Sequence, residues 1–216
     1  MKIILASANA KKIKEIEAIL GIEKIMSYQE LLGDFEIIEE GQSFSQNAWI
    51  KARTIENKIQ KLEGDYLVIA DDSGLCVDAL NGMPMIYSAR FANIKASLKE
   101  LREGDFQIPI KGGSDEANNL KLLSYLSKIG GESDAKFVCT LAVCGRVRGE
   151  RVEEEFYGEL EGKVVSAPLN PKAFGYDPLF IPKGYTVTLD KIKEKNTLSH
   201  RFYALQKFKA FYKEIL

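Results

Sequence analysis

Three cysteines, one histidine and six prolines are all that this 216-residue chain holds of those types, and each scarcity closes a class of explanation. Cys76, Cys139 and Cys144 are odd in number and lack Cys-x-x-Cys spacing, so neither a disulfide framework nor a zinc site is indicated. Such cysteine usage is expected of a cytoplasmic chain. His200 stands alone, which excludes a metal centre built from several histidines. No apolar run approaches the roughly 20 residues of a membrane-spanning helix. The run in MKIILASANA is too short for a secretory signal, so no membrane role is expected. Internal repeats, low-complexity tracts and Pro/Gly-rich linkers are missing as well. Charge of one sign is not in excess: 30 basic and 31 acidic residues argue against a broad surface that tracks nucleic acid, while a small anionic ligand stays compatible.

What the chain does have is a 45% hydrophobic composition, enough for a substantial core in one domain spanning 1–216, with two lobes around a cleft. The richest stretch is 66–92, YLVIADDSGLCVDALNGMPMIYSARFA. Leu67, Val68 and Ile69 read as a buried strand, and Asp71-Asp72-Ser73-Gly74 reads as the turn that stops it. Carboxylates at the carboxyl end of a sheet strand sit where α/β folds place ligands. If the strand instead persists, alternation of side chains prevents both acids from aiming at one point. Hard oxygen donors of this kind suit Mg²⁺.

Lys2–Ala6 reads as a first strand and Ala10–Leu20 as a helix with Ile13, Ile16, Ile19 and Leu20 at helical spacing. Ser7-Ala8-Asn9 lies between them. A strand, a short polar turn and a helix start can receive phosphate on free N–H groups, and Lys12 in the first turn is unfavourable to the helix dipole without a nearby anion. The same residues also read as a cap by Ser7 or Asn9 with Lys11, Lys12 and Lys14 solvated. A further helix is expected from Phe44 to about Leu62, with Ser43 and Gln46 as a capping box. Ala48, Ala52, Ile55 and Ile59 form its apolar stripe. Glu39 and Glu40 precede it, and alone they would be solvated turn residues.

Asp115–Lys128 reads as a helix with Leu120, Leu123 and Leu126 inward, Ala135–Cys144 and Arg151–Tyr157 as strands, and Ile94–Gly113 as a surface excursion. The last helix, from about Arg201, brings Phe202, Leu205, Phe208 and Phe211 near one face. Just before it come Phe174-Gly175-Tyr176-Asp177-Pro178, Glu194-Lys195-Asn196 and Ser199-His200-Arg201. Gly175 and Pro178 enforce a turn that presents Phe174, Tyr176 and Asp177 together, and aromatic faces on loops suit a nucleobase. Lys195 and Arg201 offer donors to phosphate or to a base carbonyl. Taken alone, Ser199 reads as a helix cap and His200-Arg201 as surface residues.

Taken together, these clusters give the chain a resemblance to the Ham1/inosine triphosphate pyrophosphatase family. Ser7-Ala8-Asn9-Ala10-Lys11-Lys12 is similar to its opening TxNxxK-type element. Phe44–Ala52 resembles FxENAxxKA, and Ala70–Ala92 resembles ADDSGLxVDALxGxPGxYSARxA. FGYDP, EKN and SHR follow in order at Phe174, Glu194 and Ser199. The departures are Gln46 for an acidic residue, Met83 and Met85 where small residues are usual, Lys172-Ala173 for Gly-Gly, and a longer Ile94–Gly113 stretch.

The resemblance implies a mixed, twisted β-sheet flanked by helices, two lobes around a central cleft, and a homodimer. It implies hydrolysis of ITP, dITP and XTP to monophosphate and pyrophosphate. Asp72 becomes the catalytic base or metal-bound carboxylate, Glu39 the second carboxylate on Mg²⁺, and Ser73 a substrate contact. Ser7, Ala8, Asn9, Ala10, Lys11 and Lys12 surround the triphosphate, with Lys51 a further cation. Phe174, Gly175, Tyr176, Asp177, Lys195, His200 and Arg201 form the nucleoside and base pocket, whose donors would favour a 6-oxo purine over adenine. A Maf-type pyrophosphatase of different base preference and a non-catalytic nucleotide sensor remain the alternative readings. A Ser73-His200-Asp72 triad lacks G-x-S-x-G, and Gly158–Val164 lacks P-loop spacing.

Overall fold

The computed structural model describes residues 1–22 and 24–216. In chain order the elements are β1 (Lys2–Leu5), α1 (Ala10–Leu20), β2 (Met26–Ser27), α2 (Tyr28–Leu32), α3 (Phe44–Lys58) and β3 (Tyr66–Val77). There follow α4 (Leu98–Glu103), α5 (Asp115–Leu126), β4 (Glu132–Val147), β5 (Glu150–Val165), β6 (Phe180–Pro182) and α6 (His200–Ile215). Six strands form one sheet in the order β2-β1-β3-β4-β5-β6. It is mixed: β1 runs parallel to β2 and β3, whereas β5 and β6 are antiparallel. The mixed sheet with flanking helices that the resemblance implies is the architecture found.

The chain divides into two compact units, one of Met1–Asp72, Cys139–Gly158 and Ser199–Leu216, the other of Ser73–Val138 and Glu159–Leu198. In the first unit β1 and β3 are buried on both faces, as central parallel strands are. Ile3, Leu5, Leu67 and Ile69 pack with Ile16 and Ile19 of α1 and with Leu205 and Phe208 of α6. Ile4, Ala6, Val68 and Ala70 pack instead with Ala48, Ala52 and Ile55 of α3. Odd-numbered β3 residues therefore face α1 and α6, and even-numbered ones face α3. Each fully buried Ile or Leu contributes about 1.5–3 kcal/mol, and the two small alanines let α3 lie close to the sheet.

The turn expected at Asp71–Gly74 does not form, because β3 continues through all four residues to Val77. Turn propensity is local, and here each acid finds cationic partners on its own side of the strand, so the extended backbone is retained. α3 starts where expected, with Ser43 Oγ accepting from Gln46 N at 3.2 Å. The capping box is incomplete, since Gln46 Oε1 takes the N–H of Gln42 rather than that of Ser43. Complete boxes stand at Ser27/Glu30 and Ser97/Glu100, where the third residue is acidic. The helix ends at Lys58 rather than Leu62, as Ile59 leaves helical geometry.

The second unit has its own core, including Leu75, Leu80, Phe91, Leu122, Tyr125, Leu126, Leu179 and Phe180. α5 turns Leu122 and Leu126 inward but leaves Leu120 in solvent, a rotation fixed by Asn118 and Asn119, which are buried on the inner face. Ile94–Gly113 is only partly a surface excursion: Ile94 and Leu101 are core residues, while Ile108 and Ile110 are exposed. Both later strands extend further than expected, β4 starting at Glu132 and β5 ending at Val165.

Candidate active site

Because β3 persists through the Asp71-Asp72 pair, the two acids point to opposite faces. Asp71 faces α1 and α6. Its Oδ1 lies 3.0 Å from Lys12 Nζ and its Oδ2 3.2 Å from Arg201 Nε. Arg201 Nη1 in turn meets Glu15 Oε2 at 2.7 Å. Burial by itself would raise the Asp71 carboxyl, yet Lys12 and Arg201 outweigh it and hold the group well below the usual carboxylate range. The same carboxylates outweigh the burial of Arg201 and keep it charged.

Asp72 faces α3. Its Oδ1 lies 3.0 Å from Lys51 Nζ, and that ammonium also meets Glu39 Oε2 at 2.9 Å. Here burial prevails: the Asp72 carboxyl is raised, with Lys51 opposing and Glu39 reinforcing the shift. Burial acts to lower Lys51, but Asp72 and Glu39 more than compensate and raise it. Asn47, fully buried on α3, links Asp72 to the backbone of the segment that carries Glu39. Its Nδ2 donates to Asp72 Oδ2 at 3.3 Å, and its Oδ1 accepts from Gly41 N at 2.8 Å. The segment carrying Glu39 is thereby tied at Gly41, and at its other end by Tyr28 Oη donating to the Phe35 carbonyl.

A cavity of about 350 Å³ opens on this arrangement, lined among others by Ser7, Ala8, Asn9, Lys12, Glu39, Lys51 and Asp71. The turn after β1 is a capped helix start, in which Asn9 Oδ1 accepts from Lys11 N and Lys12 N and Ser7 Oγ accepts from Asn9 N. Two cations, Lys12 and Lys51, thus reach the cavity wall beside the amino end of α1. Two carboxylates converge on one ammonium at Lys51, which leaves an excess of one negative charge. That donor set fits a hard divalent cation taking one or two protein carboxylates and completing its shell with water or phosphate. Among the described residues no cluster of three or more His, Cys, Asp or Glu could form a metal cage.

In the second unit, Lys195 Nζ meets Asp177 Oδ2 at 2.8 Å and lies 5.8 Å from the centre of the Phe174 ring. Tyr176 departs from the expected aromatic platform. It is only 4% exposed, and its hydroxyl donates to the Ser88 carbonyl at 2.7 Å, so its ring is a core element with no face to offer. Ser73 begins this unit at the middle of β3. His200 opens α6 in the first unit, after Ser199, whose Oγ accepts from Phe202 N. Arg201 follows it, 2% exposed, with Nε on Asp71 and Nη1 on Glu15.

Sequence reasoning passed over Asn47 and Glu15. Asn47 lay within the Phe44–Ala52 motif, and a buried amide between two carboxylate-bearing segments was its available signal. Glu15 is three residues beyond Lys12, one turn along α1, with nothing local to mark it. The cysteines are all free, and burial pushes the Cys139 thiol up to about 12, which makes it inert as a nucleophile. No helix among the described residues is long and apolar enough to cross a membrane.

The family model described as the Ham1 family matches residues 3–211. The dITP/XTP pyrophosphatase of Campylobacter jejuni is 40% identical over 210 residues, covering 95% of this chain and 94% of its own. The dITP/XTP pyrophosphatase of Clostridium perfringens is 39% identical, covering 100% and 98%. Among solved structures, the Ham1 protein of Staphylococcus aureus aligns with a TM-score of 0.75 and 32% identity over 99% of both chains. A HAM1 protein from Coxiella burnetii aligns with a TM-score of 0.76 and 29% identity over 99% of both chains. Agreement of the family model, end-to-end relatives and fold leads to one assignment: the chain belongs to the Ham1 family.

Proposed function

We propose that the cavity of the first unit receives the triphosphate of a purine nucleotide, and that Asp72 is the base of its hydrolysis. The enzyme is a nucleoside triphosphate pyrophosphatase that converts non-standard purine nucleoside triphosphates such as dITP, ITP and XTP to monophosphate and pyrophosphate. The observation that carries the site assignment is the meeting of Glu39, Lys51 and Asp72 beside a cavity that Ser7, Asn9 and Lys12 also line.

Lys12 and Lys51 supply fixed positive charge to the phosphoryl oxygens, and Ser7 to Lys12 surround the polyphosphate at the amino end of α1. Asp72, raised by burial, accepts a proton from the attacking water. A bond forms from that water to the α-phosphorus, the bond to the bridging oxygen breaks, and pyrophosphate leaves. General-base assistance of this kind is worth roughly 10²–10⁴ in rate. Glu39 and Asp72 would hold Mg²⁺, which when bound adds charge stabilisation on the phosphoryl oxygens. Asn47 keeps both carboxylates in place, and Arg201 positions Asp71 rather than touching the base.

The nucleoside end is assigned to Phe174, Asp177 and Lys195 in the second unit, with His200 and Ser73 as further contacts. Cationic donors favour the 6-oxo acceptor of hypoxanthine and xanthine over the 6-amino group of adenine. A free nucleotide rather than nucleic acid is the substrate, in keeping with the balanced charge, and the resemblance supports a cytoplasmic homodimer. A Mg²⁺-dependent assay across dITP, ITP, XTP, GTP, ATP and pyrimidine triphosphates, separating pyrophosphate from orthophosphate, tests the reaction. Preference for pyrimidine nucleotides would favour a Maf-type activity, and binding without pyrophosphate release a sensor. Light scattering on the eluting peak tests the dimer.

A further inference from the structure

The peptide of Gly175 is held on both sides by one face of α5. Its N–H donates to Asp115 Oδ2 at 3.0 Å, and its carbonyl accepts from Asn119 Nδ2 at 2.8 Å. Asp115 and Asn119 are four residues apart, so the helix presents an acceptor and a donor one turn from each other. Asn119 is 4% exposed, and the carbonyl it serves fixes which way its amide points. Asp115 is the first residue of α5, where a carboxylate is favoured by the helix dipole. Gly175 has φ 54°, a conformation that costs glycine little, and a Cβ there would meet nothing within 4 Å. Glycine is needed at this position for its backbone shape, not for room.

The next residue is fixed too. Tyr176 is buried with its hydroxyl on the Ser88 carbonyl, while Ser88 Oγ accepts from Leu75 N and donates to the Met85 carbonyl. The two central residues of the Phe174–Asp177 turn therefore have no freedom, and the side chains on either side of them, Phe174 and Asp177, are aimed by that constraint. We infer that Asp115 and Asn119 are positioning residues for base selection, acting on Phe174 and the Asp177–Lys195 pair through the Gly175 peptide without touching the nucleotide. This rests on the assignment of the nucleoside end to Phe174, Asp177 and Lys195.

The chemistry in the first unit does not involve these two side chains, so their loss affects recognition rather than the hydrolytic step. Steady-state kinetics with ITP and ATP, and inhibition by inorganic tripolyphosphate as a base-free probe, test this on purified full-length protein. Asp115→Ala and Asn119→Leu are each expected to raise KM for ITP about tenfold and to narrow the preference for ITP over ATP. For both, kcat should stay within about twofold and the tripolyphosphate Ki should be unchanged. Asp115→Asn, which keeps an acceptor for the Gly175 N–H, should restore wild-type values. Gly175→Ala strains the same peptide with α5 intact and should give the same KM-only signature, which keeps the test available if Asn119→Leu does not fold. A fall in kcat at constant KM, or an Asp115→Asn variant as impaired as Asp115→Ala, overturns the inference. Phe174→Ala separates it from the reading beneath it. If Phe174→Ala leaves KM for ITP unchanged, the nucleoside assignment fails and the inference falls with it. If Phe174→Ala raises KM but neither α5 variant does, the inference fails alone.

Discussion

Adjacent aspartates with the same chemistry have opposite environments because side chains alternate across an extended strand. Asp72 shares one ammonium with Glu39 and is raised by burial, a shift in the direction that strengthens a carboxylate as a base. Asp72→Asn is expected to lower kcat by at least about 10² while leaving ITP binding within a few-fold; near-normal turnover in single-turnover assays would remove Asp72 from the mechanism. Asp71 belongs to stability. Its folded pKa is depressed, so its contribution is present above the unfolded value of about 3.9 and is lost as pH falls through the folded value. Asp71→Asn leaves the buried Arg201 guanidinium beside a neutral amide with Glu15 as its remaining carboxylate, which should cost about 3 kcal/mol at pH 7. Urea midpoints should show the gap to wild type narrowing below about pH 4, and a gap independent of pH would contradict this account.

At the scale of elements, α6 depends on a close approach rather than on its sequence alone. A Cβ on Gly158 of β5 would stand 2.2 Å from the His200 carbonyl oxygen and 2.5 Å from Ala204 N. Backbone cannot yield as a flexible side chain does, so Gly158→Ala should displace the first turn of α6, with Arg201 and His200 on it. The expected result is a loss of about 1–3 kcal/mol, read by thermal unfolding, together with reduced turnover. No such constraint is visible from a lone Gly between Tyr157 and Glu159. The helices themselves were legible: Ile16, Ile19 and Leu20 give α1 its period, and Ser199 marks the start of α6. The end of β3 was not, since Asp-Asp-Ser-Gly reads as a turn until the cations on α1, α3 and α6 are known. The inward face of α5 was also misread, because leucine spacing pointed to Leu120 whereas two buried asparagines fix the rotation. Candidate-site residues were found where they sit in short motifs; Glu15, Asp115 and Asn119 act through partners 56 or more residues away, a distance no local pattern encodes.

For the molecule as a whole, metal and fold should be separable. Each unit has its own apolar core, and no cage of three or more metal-binding side chains exists among the described residues. Chelation is therefore expected to abolish pyrophosphate release while leaving the thermal midpoint within about 2 °C, unlike a structural zinc domain, which unfolds when stripped. Differential scanning calorimetry with and without EDTA checks this, and a large downward shift would indicate a structural metal. The register of β3 depends on more than apolar burial. Its two faces are both apolar, so a slip by one residue would still bury Leu67, Val68, Ile69 and Ala70, and hydrophobic patterning discriminates poorly between the alternatives. The acid doublet breaks that degeneracy. Deleting one residue ahead of Asp71 would carry Asp72 to the α1 and α6 side, Ser73 to the α3 side and Asp71 into the buried apolar place of Ala70, giving a destabilised and inactive protein. Inserting one would carry Asp71 to the α3 side and leave Arg201 opposite Ala70, giving a protein that retains the carboxylate for chemistry and loses the pairing that keeps it folded. Two neighbouring charges thus act as an alignment key for the strand that carries them.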